Sequence, residues 1–162
     1  MLRSMALDVA HEYVDAEVAY LLGGTTMLID YLTAAGTDRV PGVDIGVDAS
    51  ALVRNVYRQH QPDMRFYAGS GGPIQRNVNS ASLFHYNTRR LTLNEVEPGD
   101  LIFFQNEDQR IIGVGIVSDV TNSSVHFITA SASAGQVIES HALIGGDYYN
   151  SSVAGYGRLT YV

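Results

Sequence analysis

Cysteine is absent from this sequence of 162 residues. Its absence excludes a disulfide scaffold, a zinc site built on thiolates and a cysteine nucleophile. No loop carries the alternating oxygen ligands of a calcium site, and no two histidines have the short spacing of a metal motif. We therefore expect neither a metal ion nor another cofactor. The histidines are widely spread along the chain: His11, His60, His85, His126 and His141.

Basic residues are few. The formal net charge is −7, and Arg89-Arg90 is the one adjacent basic pair. A protein that binds nucleic acid needs clustered basic side chains to displace counterions, so we expect no nucleic-acid partner. Lysine is missing altogether, whereas arginine occurs ten times. An arginine-biased genome and selection against amines would each explain a lysine-free chain.

Long apolar runs are also missing, so we expect no membrane-spanning segment. No apolar stretch follows the first residues, and no signal peptide is visible. Hydrophobic residues make up 46% of the chain and charged residues 17%, which is typical of a soluble globular protein. The length is that of one domain, and we expect residues 1–162 to form a single unit.

The first half of the sequence has helical periodicity. Apolar residues keep the spacing of one buried helix face over residues 6–21, before a stop at Gly23-Gly24. A second short helix is predicted over residues 27–35. The third, from Asp48 to about residue 60, begins at a favourable N-cap. Residues 62–82 are rich in Gly, Pro, Asn and Ser and predict a long loop.

The second half has the pattern of short strands separated by turn residues. Helices followed by a run of strands are typical of an α+β fold with an antiparallel sheet. The predicted strands cover residues 101–104, 111–117, 125–130, 137–138 and 156–162.

Five segments carry a recognisable order of motifs. The first is an aromatic residue, two further residues and then two glycines, in Tyr20-Leu21-Leu22-Gly23-Gly24. Asp48-Ala49-Ser50-Ala51-Leu52-Val53 begins the third helix, and Pro98-Gly99-Asp100-Leu101-Ile102-Phe103-Phe104 begins the strands. The last two are Gly113-Val114-Gly115-Ile116-Val117 and Phe127-Ile128-Thr129-Ala130-Ser131.

In this order the segments resemble the NlpC/P60 family of papain-like peptidases and amidases. The resemblance covers roughly residues 5–140, with an insertion at about residues 25–46. It implies N-terminal helices packed on a central antiparallel sheet. It also implies that a cysteine, a histidine and a second histidine of the family correspond to Ala49, Gly113 and Thr129. We expect these three positions to converge, and from their identities we predict a catalytically inactive pseudoenzyme.

Neighbouring side chains offer no clear substitute for the missing groups. Ser50 lies about 100° around the helix from Ala49 and is interpreted as a hydroxyl of the first helical turn. Asp48 is interpreted as an N-cap. His126 is three residues from Thr129, which predicts the opposite face of a strand, and His85 has no nucleophile beside it.

The resemblance therefore suggests a noncatalytic domain that binds a peptidoglycan stem peptide. Its predicted ligand-binding residues are Tyr20, Asp48, Ala49, Ser50, Gly113 and Thr129. The alternatives are a protein–protein interaction subunit of a secreted or cell-envelope assembly, with the ancestral groove unused, and an enzyme with a relocated site. A periplasmic, cell-envelope or secreted location follows from the family.

Overall fold

Helices dominate the first half of the chain in the computed structural model, which describes residues 2–162. A single turn of 3₁₀ helix, Leu93–Glu95, precedes the central strands. The α-helices are α1 (Leu2–Asp15), α2 (Leu28–Thr33), α3 (Ala49–Arg58), α4 (Ser80–Tyr86) and α5 (Asp147–Ser152).

Six strands of the second half form one antiparallel sheet with the order β3-β8-β4-β5-β6-β7, and β1 and β2 form a separate small hairpin. The antiparallel sheet predicted from the sequence is confirmed. The strands are β1 (Phe66–Tyr67), β2 (Ile74–Gln75), β3 (Thr88–Leu91), β4 (Leu101–Gln105), β5 (Ile111–Val120), β6 (Ser124–Ser131), β7 (Gln136–Leu143) and β8 (Val153–Leu159).

The two faces of the large sheet are covered differently. Helices α1, α3 and α4 pack on one face, where Val114, Ile116 and Ile128 join the main hydrophobic core. A second apolar cluster lies on the other face and includes Phe104 and Phe127. Side chains alternate between faces along a strand, so each strand position belongs to one cluster or the other.

Helix α3 is buried from Ser50 to Arg58 and is the centre of the molecule. Its apolar stripe enters the main core, but its polar side chains are buried as well. Asn55 donates to the carbonyl of Thr26 (3.1 Å), and Arg58 donates to the carbonyls of Met64 (3.2 Å) and Arg76. These hydrogen bonds attach the surrounding loops to the helix and satisfy groups that would be costly to bury unpaired.

Several boundaries differ from those predicted. The first helix ends at Asp15 because Glu17 adopts a left-handed conformation (φ 50°), and the chain then runs extended so that Ala19 bridges Gln136. The loop predicted over residues 62–82 contains the β1–β2 hairpin and the first turn of α4. Strand β3 and helix α5 have too few periodic apolar residues to be identified from the sequence.

An ion pair between a buried carboxylate and a partly exposed arginine joins two elements near the centre of the sheet. Asp100 is fully buried and accepts two hydrogen bonds from Arg158, at 2.9 and 2.8 Å. The same carboxylate accepts the backbone N–H of Glu97 (2.8 Å). The pair therefore links β8 to the turn before β4.

We expect Arg158→Met to lower the free energy of unfolding by about 3 kcal/mol, because Asp100 would remain buried without its main partner. Arg89→Met is the matched control. Its guanidinium lies 3.8 Å from Glu95 and both side chains are about half exposed, so its loss should be much smaller. Urea unfolding measures both. Equal losses would contradict a structural role for the buried pair.

Candidate functional site

The N-terminus of α3 is fixed by one carboxylate. Asp48 accepts the backbone N–H of Ala51 (2.8 Å) as an N-cap, as predicted from the sequence. Its other oxygen accepts the backbone N–H of Gly23 (3.0 Å). Asp48 therefore joins the start of the helix to the turn formed by residues 21–24.

The turn itself depends on two glycines. Gly24 lies so close to Gly46 that a Cβ at position 24 would be 2.5 Å from the carbonyl oxygen of Gly46. Gly46 has φ 149°, a conformation that L side chains rarely adopt. A side chain at either position would clash with backbone atoms, so the turn would have to shift.

A short hydrogen-bonded chain runs along α3 beneath this end. Ser50 donates to Asp48 (3.1 Å), and Arg54 donates to the hydroxyl of Ser50 (3.1 Å) and to the carbonyl of Val78. Burial lowers the pKa of Arg54, and Asp48 acts in the opposite direction. The Nε–H of Arg54 is buried without a hydrogen-bond partner among residues 2–162. A positive charge is thus held behind the helix N-terminus.

A cavity of about 220 Å³ lies beside this end of α3. It brings together four of the residues predicted to bind a ligand: Tyr20, Asp48, Ala49 and Ser50. The first-turn N–H groups of a helix have no carbonyl one turn earlier to accept them. The cavity therefore combines an apolar wall with donors suited to a carbonyl or carboxylate.

Gly113 and Thr129, the other two predicted residues, are not brought to this cavity. Gly113 pairs with Phe104 in the sheet, and a Cβ at position 113 would lie 3.8 Å from the Phe104 ring. Phe104 belongs to the cluster on the face away from α3. Thr129 lies between Ile128 and Ala130, which face α3, and its hydroxyl donates to the carbonyl of Val114 (2.8 Å).

The strand residues that do line the cavity are Ile111 and Ile112. The pairing of β4 with β5 shifts by one residue here, so that Gln105 lies opposite Ile111 and Ile112 is left as an extra residue. This bulge reverses the alternation of faces assumed from the sequence. Nothing in the one-dimensional pattern marks it.

Another part of the cavity wall was not predicted from the sequence. It consists of Asn79, Ser80 and Ala81, at the start of α4. Asn79 caps α4 by accepting the N–H of Ser82 (2.9 Å). An Asn four residues before the short apolar run Leu83-Phe84 is the available sequence signal for this cap, but residues 62–82 were predicted to be a loop because they are rich in Gly, Pro, Asn and Ser.

The histidines lie elsewhere among the described residues. His126 is half-buried, hydrogen-bonds with the hydroxyl of Ser124 (3.0 Å) and stacks on His141. His85 is exposed in α4 and packs edge-on against Phe84. Within residues 2–162, no three His, Asp or Glu side chains are grouped so that they would hold a metal ion.

Comparisons with known proteins agree on one family. A model of the NlpC/P60 family matches residues 17–153. Among solved structures, the crystal structure of Ly7917 is similar with a TM-score of 0.62 at 15% sequence identity, over 98% of this chain. The crystal structure of Ly7917 with the hydrolyzing product of MDP is similar with a TM-score of 0.58 at 11% identity, over 97%. This chain spans 62% of either Ly7917 chain. A search of curated proteins gave no match.

These comparisons correct the prediction of a pseudoenzyme. The match to the NlpC/P60 family and the structure of Ly7917 with the hydrolyzing product of MDP contradict the prediction that this chain is not an enzyme, and that prediction is wrong. Its physical basis was the identity of Ala49, Gly113 and Thr129. Two of these lie on the other face of the sheet, so their identities do not report which groups surround α3.

We expect Asp48→Ala to lower the free energy of unfolding by about 1–2 kcal/mol through loss of the cap. It should also speed hydrogen exchange at the Gly23 amide, because the same carboxylate accepts that N–H. Asn79→Ala removes the cap of α4 and is the matched control. For Asn79→Ala we expect a comparable loss of stability but unchanged hydrogen exchange at the Gly23 amide. Hydrogen exchange detected by NMR distinguishes the two variants.

The strand register predicts which position faces Ala49. In an Ala49→Cys, Ile111→His variant the imidazole should lower the pKa of the new thiol, since both residues line one cavity. In Ala49→Cys, Gly113→His the ring should lie beside Phe104 and leave the thiol as in Ala49→Cys alone. The rate of alkylation by iodoacetamide against pH measures the difference. A thiol activated only by the histidine at position 113 would refute the register argument.

Proposed function

Because the chain belongs to the NlpC/P60 family, we propose that it binds a peptidoglycan stem peptide in the cavity at the N-terminus of α3. The observation that carries the proposal is the convergence of Tyr20, Asp48, Ala49 and Ser50 on one cavity beside the first-turn N–H groups of α3. A peptide carboxylate or carbonyl would accept those N–H groups, and Tyr20 would cover its apolar part.

The buried charge of Arg54 supports an anionic or carbonyl group at this position. Its guanidinium reaches the cavity through the hydroxyl of Ser50, which lines the cavity wall. Each stem-peptide residue adds a carbonyl, and the chain end adds a carboxylate. The solved structure of Ly7917 with the hydrolyzing product of MDP gives independent support for a peptidoglycan fragment as ligand.

The family also supports a cellular location for the proposed function. NlpC/P60 proteins are generally secreted or associated with the cell envelope, where peptidoglycan is found. No helix within residues 2–162 has the length and apolarity to cross a membrane. We place the proposed function in the cell envelope or outside the cell.

Whether the chain also hydrolyses the bound peptide is tested by an activity assay. The chain has no thiol, so cleavage of a stem peptide would use a hydroxyl or a carboxylate as the reacting group. Ser50 and Asp48 are the neighbours of Ala49 in sequence, line the same cavity and are hydrogen-bonded to each other at 3.1 Å. Turnover that disappears in Ser50→Ala while binding persists would assign that hydroxyl.

A second candidate is contact with a protein partner through the segment 25–46. Several large apolar side chains are exposed there, including Ile29 (69%), Leu32 (51%) and Val40 (49%). Exposed apolar side chains grouped in one segment favour a protein interface. Failure of the wild-type chain to bind any stem peptide would leave this candidate standing.

We expect Ala49→Leu to weaken binding of muramyl dipeptide by at least about tenfold, because the longer side chain fills the cavity that the peptide would enter. Isothermal titration calorimetry with the wild-type chain sets the reference. Ala132→Leu is the matched control, since Ala132 is exposed in the turn after β6 and lies outside the cavity. Equal affinities for all three proteins would disprove binding at this site.

A further inference from the structure

Basic residues are concentrated in one stretch of an otherwise acidic chain. Residues 50–94 contain six of the ten arginines but one of the 17 acidic residues, Asp63. This stretch comprises β1, β2, α4, β3 and all but the first residue of α3. Because the whole chain has a formal charge of −7, the stretch is a locally positive part of a negative protein.

Two of these arginines face each other at the open end of the β1–β2 hairpin. The register of the hairpin places Phe66 opposite Gln75, so Arg65 and Arg76 are the next residues on the two strands. Opposed residues of antiparallel strands have their Cβ atoms about 4.5–5.5 Å apart, and like charges in such a pair are destabilising. The hairpin therefore ends in a repulsive pair.

A third arginine is attached to both strand ends. Arg58, the last residue of α3, is buried and donates to the carbonyls of Met64 (3.2 Å) and Arg76. The carbonyl of Met64 also accepts from Arg65 (3.4 Å). Burial, and then the charges of neighbouring arginines, lower the pKa of Arg58 to about 10. Arg58, Arg65 and Arg76 thus form one group, which we call the arginine cluster.

The cluster has no carboxylate partner. No ion pair within residues 2–162 involves any of its three members. Arg76 is exposed, and its guanidinium makes no hydrogen bond in the described part of the chain. Arg65 is partly exposed and donates through Nη1, to the carbonyls of Asp63 (3.0 Å) and Met64. Donors on both side chains are therefore left for a ligand.

These donors suit a phosphate group. A guanidinium presents its N–H groups as a planar fork that matches the oxygens of a phosphate. A phosphate monoester carries a charge of about −1.5 to −2 at neutral pH and three acceptor oxygens, so one group can accept from two guanidiniums and offset their repulsion. The dipole of α3 favours a cation at its C-terminal end, which accounts for Arg58. It does not account for Arg65 opposite Arg76.

We propose that the arginine cluster is a binding site for a phosphate group, at the end of α3 opposite the peptide cavity. Arg65 and Arg76 donate to the phosphate oxygens, and Arg58 positions them by holding both strand ends. The ten residues of α3 separate the two ends by about 15 Å, so the two sites are independent. A free phosphate ion and a phosphate within a chain offer the same chemistry, and two probes distinguish them.

Calorimetry on the full chain at constant ionic strength tests the site with orthophosphate, tripolyphosphate and citrate. We expect both phosphate probes to bind and citrate, a carboxylate anion of comparable charge, to bind more weakly. Arg65→Gln and Arg76→Gln should each weaken phosphate binding about fivefold, as for a solvent-exposed ion pair. Equal affinities for the two phosphate probes would indicate a free phosphate, and tighter binding of tripolyphosphate a phosphate within a chain.

Arg110→Gln is the matched control, because Arg110 is exposed, forms no ion pair within residues 2–162 and lies before β5. It should bind both phosphate probes as the wild type does. A ligand of the folded state raises stability, so tripolyphosphate should raise the urea midpoint of the wild type and of Arg110→Gln more than those of the two cluster variants.

Binding of muramyl dipeptide should be unchanged in both cluster variants, which separates this site from the function proposed above. The proposal is overturned if the wild type binds neither phosphate probe, if citrate binds as tightly as tripolyphosphate, or if Arg110→Gln weakens binding as much as Arg76→Gln. Each of these results would leave the peptide cavity unaffected.

Discussion

The structure depends on the burial of a helix that is not wholly apolar. Ser50, Arg54, Asn55 and Arg58 lie within α3 and are all buried. Each would cost several kcal/mol if left without partners. Most of their hydrogen bonds go to backbone carbonyls of the loops around the helix. The same hydrogen bonds therefore satisfy the buried side chains and hold the loops in place. Burial lowers the pKa of Arg58 to about 10, and its guanidinium still carries a charge at neutral pH.

This arrangement explains why a site forms where it does. Asn55 fixes the carbonyl of Thr26, and Arg54 fixes that of Val78. Val78 directly precedes Asn79, which lines the cavity, and Thr26 follows the turn that carries Leu22, which also lines it. The positions of the two carbonyls are set by hydrogen bonds from one rigid helix, and Asp48 adds a third tie to the turn at Gly23. The walls are therefore organised before a ligand arrives, which lowers the entropic cost of binding.

The sequence predicted the fold better than the site. Helix α3, its Asp48 cap and strands β4 to β6 follow from local periodicity, which the final packing reinforces. The sequence could not predict which face of the sheet Gly113 lies on. The extra residue at Ile112 shifts the alternation by one, so the positions before and after it do not follow one continuous pattern. The wall at Asn79 and the left-handed Glu17 depend on tertiary contacts. The prediction of inactivity, which the comparisons contradict, rested on three aligned positions, of which the structure brings only Ala49 to the cavity.

Electrostatics constrain how the proposed ligand would be attracted. The chain carries a formal charge of −7, and stem peptides carry carboxylates, so the long-range field opposes their encounter. Salt screens that repulsion beyond about 8 Å at physiological ionic strength. Within that distance the N-terminus of α3 and the buried guanidinium of Arg54 act at short range. Attraction in this protein is therefore local, and selectivity depends on individual charges near the site.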